Sequence, residues 1–146
     1  MTTNAEHYLG DLEAASKVIP ADKPYVMMNL MKFKSKPQYP ASYTGPKPES
    51  STGRQAYIAY KDGFVRRASE LGVDLSIVFL GEAHTQLVAG TQESENYDVV
   101  LLVRFPSFAA FRSVLEDKEY VNEIQPHRVS AVQEIRSFAV TELADF

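Results

Sequence analysis

The sequence predicts an α+β chain, a four-stranded antiparallel sheet carrying two helices on one face. Three observations lead there. Asp98-Val99-Val100-Leu101-Leu102-Val103-Arg104-Phe105 is a strand that Pro106-Ser107 breaks sharply, and Phe108-Ala109-Ala110-Phe111 opens a helix directly after it. The run Tyr25–Phe33 is an earlier strand, and an apolar stripe from Tyr57 to Leu71 at helical spacing follows it. Between these two units, Leu75–Val88 and Tyr97–Phe105 flank a polar turn at 89–96 and read as an antiparallel hairpin.

Taken in order, a helix is expected from about Ala5 to Ile19, with Leu9, Leu12, Ala15 and Ile19 near one face and Pro20 ending it. Ala21-Asp22-Lys23-Pro24 is a turn into the strand Tyr25–Phe33. Ser35–Ser51 holds Pro37, Pro40, Pro46 and Pro48 with Gly45, and each proline removes a backbone donor and fixes φ. It is therefore a long loop, either a lid or a surface insertion. Thr52 and Gln55 have capping-box spacing, so a helix starts there, presents Tyr57, Tyr60, Phe64, Ala68 and Leu71 on one face, and stops at Gly72. Gly81 inside the Leu75–Val88 strand suggests a bulge. After Pro106-Ser107 the helical spacing runs through Phe108, Phe111, Leu115, Tyr120 and Ile124 until Pro126. Gln133–Leu143 is the last strand.

The order after the first helix is βαββαβ, the ferredoxin-like pattern with an extra N-terminal helix. A sheet covered on one side alternates apolar and polar residues. Val99–Val103 is instead continuously apolar, and Tyr25–Leu30 is broken only by Asn29. The second sheet face needs a cover, and the sheet of a second copy would supply it, so a homodimer with a shared, barrel-like core is expected.

Composition bounds the partners. The 146 residues include 15 basic and 19 acidic side chains for a net charge of −4, which lacks the cationic footprint of a nucleic-acid binder. Cysteine is absent, which removes disulfides, thiolate nucleophiles and Cys-ligated metals. Met1–Gly10 has neither the cationic start nor the apolar run of a signal peptide, and no stretch approaches the roughly 20 apolar residues of a membrane span. A single cytoplasmic domain over residues 1–146, without nucleic acid or membrane partners, is the expectation.

With these residues in place, the chain resembles the dimeric α/β-barrel superfamily. Within it, the resemblance is to an uncharacterised family whose second half runs strand, Phe-Pro-Ser, helix, Tyr-containing turn and late Arg. Here those are Asp98–Phe105, Phe105-Pro106-Ser107, Phe108–Leu115, Glu119-Tyr120 and Arg128. The likeness covers about Tyr97–Val140 well and Tyr25–Gly72 loosely; the Pro-rich insertion and the first helix depart from the family core. It implies a dimer and cofactor-free or simple small-molecule chemistry, as in the monooxygenases, isomerases and ligand-binding regulators of that superfamily. Such a fold hosts many roles, so activity must be argued from a site.

The candidate residues are few. Asn29, the polar break in its strand, is placed to hold a carbonyl or enolate oxygen, or is an amide satisfied by backbone. His84 would share a strand face with Glu82 and Gln86, as an acid/base group or as part of an exposed polar face. Tyr57 and Tyr60 lie on the helix face that covers the sheet, as core aromatics or as hydrogen-bonding walls of a cleft. Lys32 and Arg104 at strand ends offer charge to an acidic ligand or merely meet solvent. Arg128 would pair with a ligand carboxylate, or with Asp98 or a helix C-terminus, the structural role being preferred. His7, His84 and His127 have no metal-ligand spacing, and no phosphate-cradling glycine pattern or nucleophile elbow is present. No cofactor is implied. The leading expectation is a dimeric, cofactor-free isomerase- or monooxygenase-like protein acting on a small organic molecule. A non-catalytic small-ligand-binding or structural homodimer is the alternative, and docking of another protein on the Pro-rich loop ranks last.

Overall fold

A computed structural model describes residues 11–48, 51–88 and 96–146. The first half of the expected N-terminal helix and most of the 89–96 turn lie outside the described residues. Helix α1, Leu12–Val18, starts where the Asp11 side chain accepts from the Ala14 N–H at 3.0 Å. Leu12, Ala15 and Ile19 pack it against the core, and a 2.9 Å ion pair between Glu13 and Arg112 holds its exposed side.

Strand β1, Tyr25–Phe33, leads into an irregular loop and then α2, Gly53–Glu70. The expected capping box is formed: Gln55 N–H donates to Thr52 Oγ1 at 3.2 Å and Thr52 N–H to Gln55 Oε1 at 2.9 Å. Gly72 ends the helix at φ +75°, where Gly72 N–H donates to Ser69 O and Val73 N–H to Ala68 O, satisfying carbonyls of the last turn.

Strand β2 is Ser76–Glu82, shorter than the sequence suggested. It pairs with β3, Val99–Phe105, and the register slips at Val78, between Ile77 and Phe79, rather than at Gly81. Ser107 accepts from Ala110 N–H at 3.1 Å to start α3, Phe108–Leu115. The expected stop at Pro126 is not observed. A π-helical turn, Tyr120–Ile124, runs directly into α4, Gln125–Ala131, with Pro126 in its first turn. Pro126 stands second in α4, directly after the wider turn that Gln125 N–H closes onto Tyr120 O, and a proline is tolerated at such a helix start. Strand β4, Val132–Val140, closes the set.

The sheet order is β2-β3-β1-β4, with every neighbouring pair antiparallel. The arrangement is α+β and consistent with a ferredoxin-like plan. Alternation along β1 and β3 sends Tyr25, Met31, Leu101 and Phe105 toward the helices, where they are buried. It sends Val26, Met28, Leu30, Val100 and Leu102 to the other face. There Phe79 and Phe138 are 56% and 50% exposed, so the outer face is apolar and open to solvent.

Candidate functional site

The helix-facing side of the sheet is not fully packed. Between it and α2 lies a chamber of about 70 Å³. Its floor is Met27 and Asn29 from β1, Leu101 and Val103 from β3, and Ile135 and Ser137 from β4. Tyr57, Tyr60, Lys61 and Phe64 of α2 form the roof, and Arg128 enters from α4. A second hollow of about 360 Å³ lies beside it along the crevice between α2 and the β2–β3 edge, and shares Tyr57, Lys61 and Leu101 with the chamber.

Asn29 sits on the floor with its amide committed. Nδ2 donates to the carbonyls of Leu101 at 3.1 Å and Met27 at 3.3 Å, and Oδ1 accepts from Ser137 Oγ at 2.7 Å. The two N–H groups that would hold a ligand oxygen are therefore given to backbone, and both cross-strand partners are its register neighbours on β3 and β4. Tyr60 is buried with its hydroxyl 3.0 Å from that of Tyr120. Tyr57 packs its ring between Phe33 and Tyr60, at centroid distances of 5.5 and 5.2 Å.

Arg128 is 1% exposed, one of the most deeply buried side chains described. Its guanidinium carbon stands 5.9 Å from the Tyr60 ring centroid, within cation–π range. The π-helical turn supplies the geometry: Gln125 N–H donates to Tyr120 O, five residues back, and α4 starts from that wider turn. Lys61 stands at the rim, partly exposed and 3.4 Å from Asp62.

The other candidates lie elsewhere. Lys32, opposite Glu134, and Arg104, opposite Val26 and Ser76, occupy the outer sheet face. His84 is exposed beyond the end of β2. The strand alternation that was expected to align it with Glu82 and Gln86 stops at Glu82, which instead meets Arg54 at 3.4 Å. Asp98 accepts from Phe33 N–H at 2.9 Å and so binds the end of β1. Asn29, Tyr57, Tyr60 and Arg128 are thus brought together, and His84, Lys32 and Arg104 are not.

Two features escaped the sequence. Ser137 completes the chamber floor through a bond to Asn29 that only the sheet register reveals. On the other side of α4, the Pro-rich loop is clamped by His127. Tyr39 Oη lies 2.7 Å from Nδ1 and Tyr43 Oη 3.3 Å from Nε2, while Tyr43 also donates to Pro46 O at 2.7 Å. Burial lowers the His127 pKa and raises those of both phenols. The only sequence hint was two tyrosines inside an otherwise polar, proline-rich segment.

Among the described residues no group of three or more His, Cys, Asp or Glu is placed to hold a metal ion, and no helix is long and apolar enough to cross a membrane. No family model matches the chain, and no curated protein does. Solved structures do. A crystal structure of methylated RPA0582 protein superposes with a TM-score of 0.72 at 26% identity, covering 90% of each chain. One of RPA0582, a protein of unknown function from Rhodopseudomonas palustris, gives 0.71 at 25%, covering 92% of this chain and 93% of that one. The chain is similar to these proteins in its α+β fold, and the likeness brings no activity with it.

Proposed function

We propose that this chain is a small-molecule-binding protein that works as a homodimer, taking its ligand into the chamber between α2 and the sheet. The observation that carries the reading is the chamber itself, an apolar space into which one buried cation and two phenol-bearing rings converge. Binding pockets have this form, mostly apolar walls with a few placed polar groups. Binding stands ahead of cofactor-free catalysis because the acid/base candidate His84 lies outside the chamber and the amide of Asn29 is committed to its neighbours.

The dimer follows from the open outer face. A second copy laying its sheet on Met28, Leu102, Phe79 and Phe138 would remove that apolar surface from water at roughly 25 cal/mol per Å².

The test is a thermal-shift screen of small neutral and acidic organic molecules against the wild type and Val103→Phe, which fills the chamber. A ligand at about 100 times its dissociation constant adds about 2.7 kcal/mol to the folded state. Chemically related hits that vanish in a folded Val103→Phe variant support the reading. Hits that persist unchanged in that variant, or a flat screen, refute it.

A further inference from the structure

We infer that the ligand is an uncharged aliphatic alcohol, its hydroxyl on Ser137 and its apolar chain in a groove beside α1; this rests on the chamber being part of a binding site. Hydrogen bonds on the floor come first. Asn29 gives its amide N–H groups to the carbonyls of Met27 and Leu101, and its Oδ1 takes the one O–H of Ser137 at 2.7 Å. A serine that has donated its proton to a bond keeps only lone pairs to offer. The floor at Asn29 and Ser137 therefore presents acceptors and no donor. A ligand group seated there has to bring the hydrogen. A hydroxyl does so, whereas an ether, a ketone or a carboxylate sets lone pair against lone pair and leaves the desolvated acceptor unmatched.

Size and charge place the rest of the molecule. A cavity of about 150 Å³ admits benzene, so a chamber of about 70 Å³ holds only the end of a ligand. Met27, Phe111 and Ser137, which line the chamber, also line a groove of about 650 Å³ between the sheet and the α1–α3 pair. Leu12 and Ile19 of α1 and Phe108 and Leu115 of α3 wall it, over Ala139 and Thr141 of β4. No charged side chain lines it among the described residues, and Arg128 and Lys61 of the chamber do not reach it. The hollow beside β2 is smaller, about 360 Å³, and carries Arg54, Lys61 and Glu82, so the groove is the better host for an apolar chain. An ionised group in the groove would lose water without meeting a partner. Helix α1 supplies an independent reason. It has seven residues and none is buried, although Leu12, Ala15 and Ile19 turn toward the core. So short a helix depends on tertiary packing, and an alkyl chain in the groove completes that packing.

The experiment is isothermal titration of the full chain with 1-octanol, heptyl methyl ether and sodium octanoate near neutral pH. The three are alike in length and differ at the polar end. Octanol should bind about fivefold or more tightly than the ether, the difference one hydrogen bond makes. Octanoate should bind no more tightly than the ether. Ser137→Ala should bring octanol down to the affinity of the ether; should that variant fail to fold, the three wild-type affinities decide the matter. Ala139→Trp, which fills the groove at an exposed strand position, should weaken octanol about tenfold, the loss of about two buried methylenes. Octanol should also slow amide hydrogen exchange across α1 in the wild type. Equal binding of octanol and ether, or tighter binding of octanoate, overturns the hydroxyl assignment while leaving the chamber a binding site. Octanol indifferent to Ala139→Trp, or exchange in α1 unchanged by octanol, overturns the placement of the chain. A dimer that Ala139→Trp turns into a monomer gives the groove to a second copy and overturns the inference as well. No binding by any of the three overturns it too, and only a flat general screen would remove the binding site altogether.

Discussion

His127 has two ring nitrogens and two phenols to satisfy, and the hydrogen bonds assign its state. Tyr43 has one O–H, which it gives to Pro46 O, so toward His127 it can only accept, and Nε2 must carry the proton. Nδ1 is then bare and accepts from Tyr39. A second proton on the ring has no acceptor in that arrangement unless Tyr39 gives up its own donation. Burial acts in the same direction and keeps the folded-state pKa below the unfolded value of about 6.5. Between the two values the unfolded chain binds more protons, so stability rises with pH through that window and falls as pH drops below about 6.5. Arg66 and Glu123 line the same hollow as His127. Urea midpoints measured on both sides of about pH 6.5 should show this slope in the wild type, and a His127→Phe variant should lose it. A second side-chain prediction concerns Tyr60: removing its hydroxyl in Tyr60→Phe deprives buried Tyr120 of a partner and should cost about 1 kcal/mol in chemical denaturation. Neither bond was legible in the sequence, since Tyr39 and His127 stand 88 residues apart and Tyr60 and Tyr120 stand 60 apart.

At the scale of elements, three chain ends meet at one glycine. Gly53 opens α2, its N–H donating to Lys34 O at 3.0 Å, while Lys34 N–H donates to Ala131 O at 2.8 Å. A Cβ on residue 53 would stand 2.1 Å from Lys34 O and 2.8 Å from Ala131 O. The end of β1, the start of α2 and the end of α4 would all have to move apart. Alanine is the better helix former by roughly 1 kcal/mol, yet Gly53→Ala should destabilise by about 1–3 kcal/mol, because backbone atoms have no room to yield. Thermal unfolding of that variant checks it, and an unchanged or raised midpoint would contradict the close junction. The start and stop of α2 were readable because Thr52, Gln55 and Gly72 act on their own local backbone. The junction at Gly53 was not, because its crowding comes from residues distant in sequence. Pro126 misled for a related reason: it stands in the first turn of α4, directly after the π-helical turn, where the chain takes a proline without ending the helix. That same turn brings Arg128, for which the sequence favoured a structural role, to the chamber lining beside Asn29, Tyr57 and Tyr60.

For the whole molecule, the uninterrupted apolar run Val99–Val103 was the most telling sequence signal, because a strand buried on one side has no need of it. The open face that results sets a clear expectation. Light scattering should find the wild type as a dimer, and Leu102→Glu, a charge at the centre of that face, should give a monomer with a lower unfolding midpoint. A monomeric wild type across micromolar concentrations would refute the dimer. The order of the sheet carries a consequence for how the protein comes into being. β1 lies between β3 and β4, and the bond from Ser137 to Asn29 spans 108 residues. During synthesis β1 waits with one ladder unmade until β4, the last of the described elements, has left the ribosome. Closing so long a loop is slow compared with forming the helices. The floor of the chamber is therefore among the last parts of the nascent chain to take shape, and a chain stalled before Val132 has its helices but an unfinished floor beneath them.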